Sequence, residues 1–277
     1  MSQAAFSNLA GLLHARSGLV LGPDKMYLVE TRLSGLMRRE GMADLAALVA
    51  RITSPSGETL AREVVELMTT NETFFFRDGK PFDHVRSVVL RRIHAARPPG
   101  QPIRIWSAAC STGQEAYSLA MIVAEARPWL GDRRVEIVGT DLSREVLAKA
   151  REGLYSQFEV QRGLPIQLLV KHFTQEGANW RIAPELRAMV TWREGNLLGD
   201  LRALGRFDIV FCRNVLIYFD QATKSRVLGA IAELMPQDGV LYLGGAETVL
   251  GITDRFAAVA GERGVYEPVA RARTAAA

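Results

Sequence analysis

Apolar residues recur at helical spacing through the first part of the chain, then contract into short runs separated by amphipathic stretches. Phe6 to Ala15 forms the first helical pattern. Pro23 and Asp24 open a second helix, since proline suits a first helical turn. In it Met26, Val29, Leu33 and Leu36 recur at i, i+3, i+7 and i+10 as one stripe. Gly41 stops it. Ala43 to Ile52 predicts a third helix, broken by Ser54-Pro55-Ser56-Gly57, and Glu58 to Met68 a fourth. A helix over Pro81 to Ala96 follows, and Ala96-Arg97-Pro98-Pro99-Gly100 reads as a linker.

Beyond it strands and helices alternate. Ile103–Ala108, Val135–Thr140, Phe207–Cys212 and Val240–Gly244 read as strands, and Gly113–Ala126, Ser143–Arg151 and Gln221–Met235 as helices. Leu164–His172 is helical, and Trp180–Trp192 reads as short strands around Pro184. The last strand, Gly264–Val269, has no crossover helix before it, so it closes an otherwise parallel sheet as an antiparallel hairpin. The expected fold is a doubly wound α/β sheet over 71–270, preceded by a small all-helical domain over 1–70 and followed by a loose tail, 271–277. Ligands of such sheets bind beyond the carboxyl ends of the strands.

Composition narrows the class. The 277 residues are 48% hydrophobic and 23% charged, an ordinary globular balance. No apolar run approaches the ~20 residues of a membrane span, and the N-terminus lacks the pattern of a secretory signal, so the chain is expected in the cytoplasm. A net charge of +4 permits an acidic partner without choosing one. Cys110 and Cys212 read as buried reduced thiols, and no cluster has metal-ligand spacing.

Four segments carry chemistry. Ser107-Ala108-Ala109-Cys110-Ser111-Thr112-Gly113-Gln114-Glu115 is a strand, a turn of small residues and a helix start, through which backbone N–H groups approach a nucleotide-like ligand. It lacks the dinucleotide three-glycine spacing, and Thr112 with Glu115 equally fits a capping box. Asp141 ends a strand, either as an acceptor for a ribose diol or as a helix cap. In Phe211-Cys212-Arg213-Asn214-Val215-Leu216-Ile217-Tyr218-Phe219-Asp220 polar groups stand at the sheet edge, or Tyr218 and Phe219 pack in the core and Asp220 caps a helix. In Asn71-Glu72-Thr73-Phe74-Phe75-Phe76-Arg77-Asp78 three phenylalanines beside polar groups fit the aromatic wall of a small-molecule site.

Together with Asn196-Leu197, these motifs resemble the chemotaxis receptor glutamate methyltransferases, the CheR family, over nearly the whole chain. The resemblance implies a class I methyltransferase fold with a seven-stranded sheet and a small antiparallel β-subdomain near 173–192. It implies S-adenosyl-L-methionine as cofactor and S-adenosyl-L-homocysteine as product. Asn71, Thr73, Arg77, Glu115, Asp141, Asn196, Leu197, Arg213 and Asn214 would line the cofactor site, with Arg77 and Tyr218 nearest the transferred methyl. The acceptor would be a glutamate carboxylate on the cytoplasmic helices of methyl-accepting chemotaxis receptors, already ionised at neutral pH.

Lys25, Arg32 and Arg39 repeat every seven residues, as a solvated face or as a docking face; the resemblance assigns docking to Arg32 and Arg38. Some members bind a receptor's C-terminal pentapeptide through a longer, glycine-rich loop. Here only Gln175-Glu176-Gly177-Ala178-Asn179 precedes Trp180, so no high-affinity tether is expected, and the chain is expected to work as a monomer. The rival readings are an RNA or small-molecule methyltransferase of the same fold, though no basic-aromatic stripe for nucleic acid stands out, and a non-catalytic binding module.

Overall fold

The computed structural model describes residues 2–270; the tail expected over 271–277 lies outside them. The chain divides into two compact units, the first made of residues up to Thr70 together with Tyr218–Thr223. It holds α1 (Gln3–Ser17), α2 (Met26–Arg39), α3 (Leu45–Ile52) and α4 (Glu58–Met68). Helix α1 buries Phe6, Leu9 and Leu13 and ends at Gly18, whose left-handed φ of 78° lets its N–H reach the His14 carbonyl at 2.8 Å. The α2 stripe is inward at Val29, Leu33 and Leu36, with Met26 half-buried at its start. Asp44 caps α3 by accepting the Ala47 N–H at 2.9 Å. Asp220 does cap the helix that follows it, accepting the Thr223 N–H at 2.7 Å, and pairs with His14.

Arg32 has a defined place in this unit. Its Nη1 donates to the carbonyls of Met68 at 2.7 Å and Thr69 at 2.9 Å, and its Nη2 to the Thr70 hydroxyl at 3.0 Å. The guanidinium therefore satisfies the orphan carbonyls at the end of α4. Arg39 pairs with Glu63 and Glu40. Of the row read as a possible docking face, only Lys25 makes no ion pair or capping bond among the described residues, and the same holds for exposed Arg38.

The second unit comprises Asn71–Ile217 and the residues from Lys224 onward. The helix expected over Pro81–Ala96 is α5 (Lys80–His84) and α6 (Leu90–Ala96) joined by a π-helical turn, Val85–Val89. The elements that follow are β1 (Ile103–Ala108), α7 (Gln114–Leu130), β2 (Val135–Asp141), α8 (Arg144–Glu152), β3 (Leu154–Ser156), α9 (Gln157–Gln161) and α10 (Ile166–His172). Then come β4 (Phe173–Glu176), β5 (Asn179–Ile182), α11 (Pro184–Ala188), β6 (Val190–Glu194), β7 (Ile209–Cys212), α12 (Gln221–Glu233), β8 (Val240–Tyr242), β9 (Phe256–Ala258) and β10 (Val265–Pro268).

The large sheet has seven strands in the order β6-β2-β1-β7-β8-β10-β9, parallel except that β10 runs antiparallel to both β8 and β9. This is the doubly wound, mostly parallel sheet with an antiparallel end. Its central strands β1 and β7 are buried along their length except at half-buried Arg104, as expected where helices cover both faces. The small sheet, β3-β5-β4, spans 154–182: β4 and β5 lie within the expected 173–192, and β3 precedes it. Pro184 starts α11, and Val190–Glu194 pairs with β2 at the edge of the large sheet. Both runs have strand-like composition, and only pairing separates them. Strand β9 was not expected: it is three residues long and two of them are exposed, too little for a period.

The predicted linker is a brace. Arg97, 9% exposed, donates to Asp208 at 2.6 Å and to Asp238 at 2.6 Å, while Asp208 also accepts the Arg104 N–H at 2.8 Å. Arg97, Arg104 and Asp208 line a cleft of about 470 Å³ at the amino ends of β1 and β7. Its guanidiniums bind protein acceptors, so it supports the sheet from the end opposite to the one where ligands of this fold sit.

Candidate active site

Strand register assembles the site. Ala108 pairs with Thr140 on one side and Cys212 on the other, so Ala109, Asp141 and Arg213 leave the sheet at one edge. Strand β1 lies between β2 and β7, which is where the order reverses and a crevice opens. The loop after β1 is tightly curled, with positive φ at Ala109 (54°), Ser111 (51°) and Gly113 (93°). The Cys110 N–H donates to the Thr140 carbonyl at 2.9 Å and holds the curl against β2. At Gly113 a Cβ would stand 2.8 Å from the Trp192 ring and 2.9 Å from the Ala150 Cβ, so only glycine fits both the φ and the space.

Gly113 is the N-cap of α7, and the capping box read from Thr112 and Glu115 does not form. Thr112 donates to the Gln114 side chain. Glu115 turns inward, accepting the Ser107 hydroxyl at 2.7 Å and the Arg213 Nη1 at 3.1 Å. Arg213 has a 1% exposed side chain and also donates from Nη2 to the Arg77 carbonyl at 2.9 Å and to Asp78 at 2.6 Å. It lies over the rings of Phe82 and Phe211, and Phe211 stacks on Tyr242 at 4.5 Å. Its Nε has no acceptor among the described residues. Burial pushes the Glu115 carboxyl above the usual carboxylate range, with Arg213 and Ser107 opposing the shift. Burial likewise pushes the Cys110 and Cys212 thiols up, so both are inert.

Asp141 is buried and is not the cap of α8; Ser143 caps that helix. One Asp141 oxygen accepts the Ser111 N–H at 2.8 Å and the other the Ser143 N–H at 3.0 Å, so the carboxylate ties the β1 and β2 loops together. Ser111 Oγ in turn donates to the Asn71 carbonyl at 2.7 Å. The Gly195 N–H donates to the Asp141 carbonyl at 2.9 Å, which brings Asn196 and half-buried Leu197 out beside it. Asn196 folds its own loop by accepting the Leu198 N–H at 2.9 Å.

The three phenylalanines point apart, because the φ of 50° at Phe76 breaks the extended alternation. Phe75 is a fully buried peg packed edge-on to Tyr155 and Phe173. Phe76 packs on Phe82, and its N–H donates to Ser118 Oγ at 2.9 Å. Phe74 carries the guanidiniums of Arg162 at 4.4 Å and Arg77 at 5.4 Å. Arg77 Nη1 donates to the Glu72 carbonyl at 2.9 Å, and the hydrogen bond and charge of Arg162, with the charge of Arg77, hold the Glu72 carboxyl below its usual range. Thr73 is half-buried in the same segment. Tyr218 belongs to the helical unit, where its carbonyl accepts the Val20 N–H at 2.9 Å.

One edge therefore gathers Asn71, Arg77, Glu115, Asp141, Asn196, Arg213 and Asn214. Sequence reasoning did not assign Asp78, Ser107 or Ser111 to the site; they hold Arg213, Glu115 and Asp141 respectively. Asp78 and Ser111 sit at positive φ, a tertiary feature with no local signal.

The family model described as "CheR methyltransferase, SAM binding domain" matches residues 71–265, and "CheR methyltransferase, all-alpha domain" matches 4–69. The chain is 40% identical over 255 residues to chemotaxis protein methyltransferase Cher2 of Pseudomonas putida, covering 91% of this chain and 92% of the relative. It is 41% identical over 259 residues to chemotaxis protein methyltransferase 1 of Pseudomonas aeruginosa, covering 92% and 94%. To the chemotaxis protein methyltransferase of Escherichia coli it is 34% identical over 262 residues, covering 92% and 88%.

Proposed function

From the premise that the chain belongs to the CheR methyltransferase family, we propose that it esterifies glutamate side chains on the cytoplasmic helices of methyl-accepting chemotaxis receptors, acting as a cytoplasmic monomer. It is an S-adenosylmethionine-dependent methyltransferase of chemotaxis. Among the described residues no helix is long and apolar enough to cross a membrane.

The donor set fits the cofactor. An ammonium calls for a carboxylate and a ribose diol for acceptor oxygens, and Glu115 and Asp141 supply them at one edge. Asp141 presents two carboxylate oxygens at the end of β2, an acceptor pair suited to a diol. Asn71, Thr73, Asn196, Leu197, Arg213 and Asn214 complete the proposed lining. When bound, S-adenosylmethionine supplies an electrophilic methyl on a sulfonium. The chain's own residues need only bind, orient and keep water away, because the acceptor carboxylate is ionised at neutral pH and no base is required. Arg77 uses one of its five N–H donors on the Glu72 carbonyl, so its fork is left to hold a carboxylate. Tyr218 is the second residue proposed to hold it.

The observation that carries this reading is the grouping of Glu115, Asp141 and Arg213 at the switch point of a methyltransferase sheet. The test is methyl-labelled S-adenosylmethionine mixed with receptor-bearing membranes. Label on the receptor band should leave as methanol in base. Arg77→Ala and Tyr218→Phe should each cut turnover at least about tenfold without changing the melting temperature. Label on RNA or on an amine, or full turnover in both variants, would overturn the assignment.

For receptor docking we propose Arg38 as the direct contact, with Arg32 acting through the end of α4 that it caps. Arg38→Glu should raise KM for receptor with cofactor affinity unchanged. Arg32→Glu should also lower the melting temperature, since about 1.5–3 kcal/mol rides on hydrogen bonds from a charged donor. Equal melting temperatures for the two variants would count against the capping role. The β4–β5 hairpin closes with Gly177-Ala178 alone between paired Glu176 and Asn179, which supports the absence of a high-affinity pentapeptide tether.

Glu115 gives a pH prediction. Its carboxyl lies above the ordinary 4.5, so it takes up a proton, and stops pairing with an ammonium, while pH is still above that value. S-adenosylhomocysteine affinity should fall on acidification before ordinary glutamates titrate. In Glu115→Gln calorimetry should show weak binding with that acid limb missing.

A further inference from the structure

We propose that Glu247 is a positioning residue for the cofactor site, acting through the backbone from Asn214 to Ile217; the proposal rests on Asn214 lining that site. Glu247 lies in the turn after β8, is 9% exposed, and closes the turn with its own N–H on the Gly244 carbonyl at 2.9 Å. Its carboxylate collects four backbone N–H groups. Oε2 accepts Gly244 at 2.6 Å and Asn214 at 2.8 Å, and Oε1 accepts Val215 at 2.9 Å and Ile217 at 3.3 Å. Among the described residues no cation pairs with it. A buried carboxylate without a counter-ion persists only where hydrogen bonds replace its hydration, and here the loop backbone does so.

The loop needs this acceptor as much as the acceptor needs the loop. Asn214 sits at φ 59°, left-handed backbone that a non-glycine residue holds at a cost. Three N–H groups within four residues converge on one carboxylate because the chain is curled there, and the carboxylate fixes the curl. Gly244 leaves the necessary room: a Cβ would stand 2.8 Å from both Glu247 Oε2 and Asn214 Nδ2. Arg213, one residue earlier, is held separately by Glu115, Asp78 and the Arg77 carbonyl. Glu247 thus sets Asn214 and the residues after it without being needed to place Arg213.

The test is a double-mutant cycle read in S-adenosylhomocysteine affinity by calorimetry, with melting temperatures alongside. Glutamine at 247 keeps the size and one acceptor oxygen but turns an NH2 toward two N–H donors. Glu247→Gln and Asn214→Ala should each weaken binding, by roughly tenfold, and the double variant should bind no more weakly than the weaker single. A double variant showing the product of the two losses, or Glu247→Gln lowering only the melting temperature, would overturn the proposal. If Asn214→Ala binds normally, the cofactor reading of Asn214 is itself wrong; if it binds weakly and Glu247→Gln does not, only the positioning role fails. Should Glu247→Gln not fold, Gly244→Ala crowds the same contacts while keeping the carboxylate, and the same coupling to Asn214→Ala is expected.

Discussion

Replacing Arg213 by alanine is expected to destabilise the methyltransferase unit by about 3–5 kcal/mol and to abolish measurable S-adenosylhomocysteine binding. The guanidinium is 1% exposed and serves Glu115, Asp78 and the Arg77 carbonyl at once. Without it Glu115 remains buried with only the Ser107 hydroxyl, and its carboxyl, already pushed up by burial, is pushed further. The pH dependence follows from the sign. An acid whose folded-state pKa is raised costs no stability while protonated and costs progressively more as pH rises from its unfolded value through its folded one. The deficit of Arg213→Ala relative to the parent should therefore shrink as pH falls toward 4.5, the ordinary glutamate value. Thermal unfolding at several pH values checks this. Arg213→Lys keeps the charge but loses the planar fork that reaches three acceptors, and should fall between the two. A deficit that does not narrow on acidification would show that lost packing over Phe82 and Phe211 outweighs the unpaired carboxylate.

Asp141→Asn is expected to weaken S-adenosylhomocysteine binding about 10- to 100-fold, the worth of charge-assisted hydrogen bonds at a buried group. The carboxylate receives the N–H groups of Ser111 and Ser143, one on each oxygen. An amide of the same shape keeps one acceptor and opposes the other N–H with a donor, so the β1 loop is released on one side while the diol loses an ionised acceptor. Calorimetry gives the affinity and thermal unfolding the stability. Affinity unchanged with a lowered melting temperature would make Asp141 a loop brace and nothing more.

These two residues also mark where legibility in the sequence ended. The alternation of apolar runs and amphipathic stretches, the helical N-terminal segment and the antiparallel end of the sheet were readable, because hydrogen-bond periodicity imprints the chain residue by residue. So was the gathering of polar and charged groups just after Ala108, Thr140 and Cys212, the edge where a doubly wound sheet binds ligands. Site residues were legible as motifs, yet their partners were not. Glu115 and Arg213 lie 98 residues apart, and Arg97 and Asp208 lie 111 apart. A capping box and a linker were reasonable local readings of Thr112–Glu115 and Ala96–Gly100, and pairing across the sheet overruled both.

By itself, then, the sequence determined the order and type of most elements, the edge of the sheet that carries the candidate site, and the polar residues displayed there. Tertiary structure alone decided that Phe75 is a core peg, that Arg32 closes a helix end, that Val190–Glu194 joins the large sheet, and that Glu247 gathers a loop. The physical reason is range. Periodicity records which face a residue presents, over a few neighbours. Which distant carboxylate meets which guanidinium or N–H depends on strand register, and register exists only once the sheet has formed.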